Sequence, residues 1–298
     1  MNPIKSLLSS IFCRKIRHSE NVFIRNTPPG HFYSPIPDLA EITDNRDAIF
    51  ANLPECPGVN INEADQLALA RSFRDYHDTF PFMAETSPAL RYYLNNGYFG
   101  GGDAFALYSM IRHFQPKRIV EVGSGFSSAL MLDTIDRFIP DKPEVTFIEP
   151  FPLRLRTLLS DNDRARCTIL EMRVQNVPIE RFTSLQENDL LFIDSSHVVK
   201  TGSDVVHIIA NILPRLNCGV LVHFHDIGWP FEYPEEWLRD GRAWSEAYML
   251  RAFLQYNSAF EILFFNAYLG ARHGEFMTDC LPGFMRMAGG SIWIRRLS

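Results

Sequence analysis

Beyond Pro116 the chain alternates short apolar runs with longer stretches of helical spacing, and few architectures accommodate that alternation. A strand apolar on both faces must be covered on both, and parallel neighbours need a crossover helix, so the pattern reads as βαβ units in an α/β fold. Strands are expected at 118–122, 144–148, 167–170, 189–193, 219–223, 260–265 and 291–295. No clear helical pattern separates the last two, over 266–290, so they are expected to pair antiparallel. The expected architecture is a doubly wound, seven-stranded sheet with an antiparallel last strand.

Upstream the pattern differs. Residues 27–57 are rich in proline and read as an extended strap. From Asn62 the apolar residues Leu67, Leu69, Ala70, Phe73 and Tyr76 recur at helical spacing, with Asn62 and Asp65 as the expected N-terminal cap. A second helix is expected over 103–114, ending before Pro116. These features divide the chain into an extension and cap of strap and helices over 1–102 and an α/β domain over 103–298. The first seventeen residues carry Lys5, Arg14, Lys15 and Arg17 around a short apolar stretch, Leu7 to Phe12. About 20 apolar residues are needed to span a bilayer, so a docking helix is expected there and no membrane partner.

The net charge of −6 comes with scattered basic residues, so no nucleic-acid footprint is visible. Five cysteines, Cys13, Cys56, Cys167, Cys218 and Cys280, lie far apart with no Cys-x-x-Cys pair. This suits a reducing cytoplasm with cysteines serving as small core residues.

The segment from Arg118 to Ser128 runs from a buried strand into a helix and carries Gly123 and Gly125. Such a loop lets a ligand approach the main chain, here at Gly123, Ser124 and Gly125. A dinucleotide fingerprint would need glycine where this chain has Ser128, which counts against NAD. Glu121, two residues before the first glycine, can order the loop or reach a cationic group of a cofactor. Glu149 ends the next strand, a little over 20 residues beyond the glycines, where a carboxylate accepts hydrogen bonds from both ribose hydroxyls of a nucleoside. After the third strand, Gln175 is assigned to the adenine edge.

Strands four and five end in Asp194-Ser195-Ser196-His197 and His223-Phe224-His225-Asp226. Neighbouring strands bring Asp194, His197, His225 and Asp226 together at the edge where ligands bind in open α/β sheets. Carboxylates favour Mg²⁺ or Mn²⁺ and imidazoles shift the preference toward Zn²⁺ or Fe²⁺, so the ion is open, as is simple hydrogen bonding to the loop. His197 is a candidate general base, since an imidazole takes a proton near neutral pH. Asp103 is placed either at a cofactor amino group or at the helix N-cap. The loop Gly228 to Trp237, rich in aromatics and proline, reads as a wall or lid for an acceptor or as core. A single helix is expected over 234–256, and the segment 91–99 is expected to cover the active-site edge.

Glu121-x-Gly123-x-Gly125, Glu149 and the acidic end of strand four together resemble class I S-adenosylmethionine-dependent methyltransferases, over roughly 103–298. More closely the chain is similar to the small-molecule group with macrocin-type O-methyltransferases and cephalosporin-hydroxylase-like proteins. The resemblance implies a Rossmann-like domain, S-adenosylmethionine as cofactor, Glu121, Gly123, Ser124, Gly125, Ser127, Glu149, Gln175 and Asp194 around it, and catalytic roles for His197 and Asp194. Ser127 stands where the family often has a third glycine. The resemblance also implies a metal held by Asp194, His225 and Asp226, with His225 departing from the acidic pattern. The function implied is O-methylation of a small-molecule acceptor, metal-assisted, in a cytoplasmic protein compatible with a homo-oligomer. Two alternatives stay open: an iron-dependent oxidoreductase or hydroxylase-like enzyme on the same fold, and a non-catalytic nucleoside-binding or scaffolding protein.

Overall fold

Seven short runs, most of them buried and apolar, pair into one sheet in the computed structural model, which describes residues 22–282 and 289–298. The strands are β1 (Arg118–Val122), β2 (Glu144–Ile148), β3 (Thr168–Leu170), β4 (Leu190–Ile193), β5 (Leu221–Phe224), β6 (Phe260–Phe265) and β7 (Ile292–Arg296). Their order is β3-β2-β1-β4-β5-β7-β6. The first five are parallel neighbours, and β7 runs antiparallel to both β5 and β6. The expected sheet with its reversed last strand is therefore observed. β1 lies between β2 and β4, with Glu121 level with Phe147 on one side and Phe192 on the other.

Burial on both faces accounts for the composition of these strands. All of β4 and β5 is buried, and Trp293 of β7 is fully enclosed. Helices Gly101–Phe114 and Phe126–Phe138 pack on each other, and helix Glu63–His77 lies along β6, where the Phe73 and Phe264 rings stand 5.4 Å apart. Asn62 precedes that last helix but does not cap it. It adopts a left-handed conformation, φ 56°, and its side-chain amide donates to the Ile262 carbonyl, tying the helix start to the sheet.

Three local expectations are corrected. Residues 266–290 are not irregular throughout: helices Asn266–Arg272 and Gly274–Cys280 occupy the connection, with Tyr268, Leu269 and Met277 buried. The helix expected over 234–256 is two helices, Glu235–Arg239 and Glu246–Leu254, separated at Gly241, whose φ is 87°. The strap over 27–57 contains short helices Leu39–Asp44 and Arg46–Ile49. The docking helix expected before residue 18, with Cys13, lies outside the described residues.

Two compact units are distinguished. One takes Met1–Asn52 and Pro234–Ala243, described from residue 22 on, and the other takes Leu53–Tyr233 and Trp244–Ser298. In the first, Asp38 accepts from the Ala40 amide to start a helix, and Arg46 bonds Glu235 at 2.6 Å. The second contains the whole sheet. Cys56, Cys167, Cys218 and Cys280 are free, and Cys56 and Cys280 are buried in the core role expected of them. Among the described residues no helix is long and apolar enough to cross a membrane.

The segment 91–99 is fastened to helix Phe126–Phe138. The Arg91 and Tyr92 amides donate to Asp133 at 2.8 and 2.9 Å, while the Arg91 guanidinium bridges Asp133, Asp136 and Asp163. This leads the chain to the carboxyl edge of the sheet, where Phe99 is buried 4.9 Å from the His225 ring.

Candidate active site

The glycine loop opens where β1 ends. Gly123 has φ 78°, and a Cβ built on it would stand 1.7 Å from the Asp194 carbonyl oxygen, so only glycine fits between the ends of β1 and β4. Its amide donates to Ile148 of β2 at 3.0 Å, and the Asp194 amide donates to Val122 at 2.8 Å. Gly125 is extended, a conformation any residue adopts, and is close-packed against the Arg154 side chain.

Glu121 faces inward. It is fully buried, and its carboxylate accepts from Ser127 at 2.5 Å and from Ser128. Burial pushes the Glu121 carboxyl up to about 8, against the lowering effect of the two serine hydroxyls. Glu121 and Ser127 thus do not line the cleft; they brace the turn. Ser128, the residue that departs from the dinucleotide pattern, accepts from the Gly125 amide at 3.0 Å and closes that brace.

A cleft of about 530 Å³ lies over this loop, within the volume range of small-molecule sites. Gly123, Glu149, Gln175 and Asp194 all line it. Glu149 is oriented by two backbone donors, the Ser124 amide at 3.2 Å and the Phe151 amide at 2.8 Å. The Gln175 amide nitrogen donates to the Gly202 carbonyl at 2.8 Å, and its buried oxygen has no hydrogen-bond partner, leaving an acceptor on the cleft wall. The Ser124 hydroxyl is likewise buried and unpartnered.

Asp194 is also the edge of a second group. His197 Nε2 stands 3.3 Å from Asp194 and 3.8 Å from Asp226, while its Nδ1 is 2.8 Å from the buried Glu246. His197 and Asp226 are both left-handed, with φ 59° and 58°. Non-glycine residues in that region cost about 1–3 kcal/mol and cluster at functional sites. Burial disfavours a charged imidazole, but the hydrogen bonds to Asp194 and Glu246 outweigh it and raise His197 to about 10. A value raised this far favours the protonated ring at neutral pH.

Atoms of Asp194, His197 and Asp226 lie within 4.8 Å of one another and form the group, among the described residues, able to hold a metal ion. His225 does not join it. Its Nε2 is 3.6 Å from Asp226, but its ring packs against Phe99 and His223 and its Nδ1 is buried without a partner. The His225 member of the expected ligand set is therefore replaced by His197.

Asp103 does not line the cleft and is not at the N-cap. It is the third residue of helix Gly101–Phe114, buried, and accepts from Asn266, Ser291 and the Gly290 amide. Two aromatics of the loop, Phe231 and Tyr233, are core, while Trp229 is half-buried and packs 4.8 Å from Tyr268. Sequence reasoning missed Glu246 and Trp244, whose ring lies 4.3 Å from that of His197. Neither carries a local signal, because both reach the site from the far side of a long connection.

Residues 120–227 match the family model described as "Methyltransferase domain". A protein of Archaeoglobus fulgidus, described as uncharacterized, is 38% identical over 168 residues, 54% of this chain and 74% of that protein. Among solved structures, the SAH-bound methyltransferase PaMTH1 of Podospora anserina is 17% identical, covering 89% of this chain and 99% of its own at a TM-score of 0.41. The O-methyltransferase TomG of Streptomyces achromogenes, in complex with SAM, is 15% identical over 85% and 96% at 0.42. The chain belongs to the family of the archaeal protein and carries a methyltransferase domain over residues 120–227.

Proposed function

We propose that the protein transfers a methyl group from S-adenosylmethionine to a hydroxyl of a small-molecule acceptor, with the domain from residue 103 as the catalytic body and residues 1–102 as its extension. The observation that carries this reading is the cleft over Gly123, where an oriented Glu149, the unpaired Gln175 oxygen and Asp194 stand in the order of their strands. Glu149 takes the ribose hydroxyls, Gln175 accepts from the adenine amino group, and Gly123 lets the thioether chain lie on the backbone.

The acceptor oxygen attacks the methyl carbon as the C–S⁺ bond breaks, and neutral S-adenosylhomocysteine leaves. The sulfonium is already activated, so alignment is the main contribution of the protein. The acceptor proton passes to the Asp194–Asp226 carboxylates, and the protonated His197 between them offsets their charge. Glu246 holds the far nitrogen of His197 and sets the ring's orientation.

A divalent cation fits the same residues. Two carboxylates and an imidazole converge, and the imidazole's other nitrogen is already held by a carboxylate, the usual support of a metal-binding histidine. Asp194, His197 and Asp226 would hold it, and it would supply Lewis acidity toward the acceptor hydroxyl.

Isothermal titration of chelator-treated protein with S-adenosylhomocysteine and with NADH, each with and without Mg²⁺, Mn²⁺, Zn²⁺ or Fe²⁺, tests the reading. Micromolar binding of S-adenosylhomocysteine alone is expected. Binding of neither nucleotide would overturn it, and an iron requirement without S-adenosylhomocysteine binding would favour the oxidoreductase alternative.

A further inference from the structure

We infer that Arg154 is the residue that recognises the α-carboxylate of the cofactor's amino-acid tail, with Tyr98 holding it in place. The inference rests on the cofactor reading above. Arg154 follows β2 by six residues and belongs to helix Leu153–Leu158. Its guanidinium lies 3.7 Å from the centre of the Tyr98 ring, and that ring stacks on Phe126 at 5.8 Å and 11°. Its Cδ stands 3.3 Å from where a Cβ on Gly125 would be, so the side chain crosses the glycine loop. Burial raises the Asp194 carboxyl, and His225 and His197, with the Arg154 charge adding the least, hold it low.

The direction of the ligand follows from strand order. Gln175 comes after β3, Glu149 after β2, the glycines after β1 and Asp194 after β4, and these strands are successive neighbours. A nucleoside held at Gln175 and Glu149 points its 5′ substituent over the glycines toward Asp194. The tail is a zwitterion, and the loop offers it an acid at Asp194 and a cation at Arg154. Arg154 stands beside the glycine loop, outside the cleft lining, and the cations that do line the cleft, Arg173 and Lys200, lie at its other end. Arg173 precedes the turn carrying Gln175, and Lys200 lies two residues before Gly202, the acceptor of the Gln175 amide. Tyr98 is 63% exposed, so its stacking on Arg154 is not demanded by core packing. A planar guanidinium over an aromatic face keeps its edge free for a bidentate carboxylate.

Titration of wild type, Arg154→Ala, Arg154→Lys and Arg173→Ala with S-adenosylhomocysteine and with its decarboxylated analogue, which keeps the ammonium, tests this. Wild type is expected to prefer the carboxylate by tenfold or more. Arg154→Ala should lose that preference by weakening only S-adenosylhomocysteine, and Arg154→Lys should retain part of it. Arg154 is exposed, and an unchanged urea midpoint confirms that each variant is folded. Equal affinity of wild type for both ligands, or a preference kept in Arg154→Ala, overturns the inference alone. Loss of the preference in Arg173→Ala instead moves the carboxylate to the other end of the cleft and overturns it too. Binding of neither ligand by wild type removes the cofactor reading and this inference with it.

Discussion

Gly123→Ala exposes the geometry of the site most directly. The added Cβ would begin 1.7 Å from the Asp194 carbonyl oxygen and must retreat to at least 3.0 Å, in a residue whose φ is 78°. A left-handed conformation costs an alanine about 1–2 kcal/mol. The retreat separates the ends of β1 and β4 and strains two backbone hydrogen bonds, Gly123 to Ile148 and Asp194 to Val122, each contributing about 0.5–1.5 kcal/mol. Together these give about 2–5 kcal/mol of lost stability, or roughly 5–15 °C in Tm for a domain of this size. Urea denaturation and calorimetric titration with S-adenosylhomocysteine read both consequences, and cofactor affinity should fall with stability because Gly123 and Asp194 line one cleft. Gly125→Ala is the contrast, since its backbone is extended and its Cβ would meet only the flexible Arg154 stem at 3.3 Å. It should cost under about 1 kcal/mol. A Gly123→Ala protein that melts within 2 °C of wild type and binds normally would refute the argument from close approach.

Glu149→Ala should weaken S-adenosylhomocysteine by about 1.5–3 kcal/mol, the worth of hydrogen bonds to a charged group, and unchanged calorimetric affinity would remove Glu149 from the site. Asp194→Ala should abolish turnover while a substantial part of cofactor binding remains, and a fully active variant would sink the proposed catalytic group. Glu246→Gln should lower kcat by roughly 10- to 100-fold with a much smaller change in S-adenosylhomocysteine affinity, because it disorients His197 and meets the cleft only through the Ser195 hydroxyl. Glu121 has a folded value of about 8 against an ordinary 4.5, so the folded state binds more protons across that window and the carboxyl makes stability fall as pH rises through it. Glu121→Gln should therefore gain on wild type between pH 5 and 8, by up to about 1.4 kcal/mol per pH unit, and a pH-independent difference in urea midpoints would contradict this. Arg91→Leu leaves the buried Asp133 and Asp163 without their shared cation and should cost about 3–5 kcal/mol.

The sheet was legible because its signal is local and periodic. β1, β2 and β6 begin and end where their apolar runs do, and Gly123 and Glu149 follow directly from strand ends. The connection 266–290 was not legible. Neighbouring antiparallel strands do not require a crossover, so its two helices are short and gain their stability from burying Tyr268, Leu269 and Met277 against the rest of the unit.

The amino-acid sequence by itself determined the α/β class and the strand spacing, since these depend on periodicity, whereas the need for glycine at 123 and not at 125 comes from the Asp194 carbonyl packed against it. Only the tertiary structure decided how side chains of similar chemistry divide the work. Glu121 and Ser127 turn inward to brace the loop, whereas Glu149 turns to the cleft. His197 joins Asp194 and Asp226 in place of His225, because its left-handed backbone and the distant Glu246 aim its ring at them. Arg154 meets the glycine loop at Gly125 under the ring of Tyr98, which belongs to the segment that Arg91 fastens to another helix. Each outcome rests on contacts between residues far apart in the chain, and no local propensity encodes those contacts.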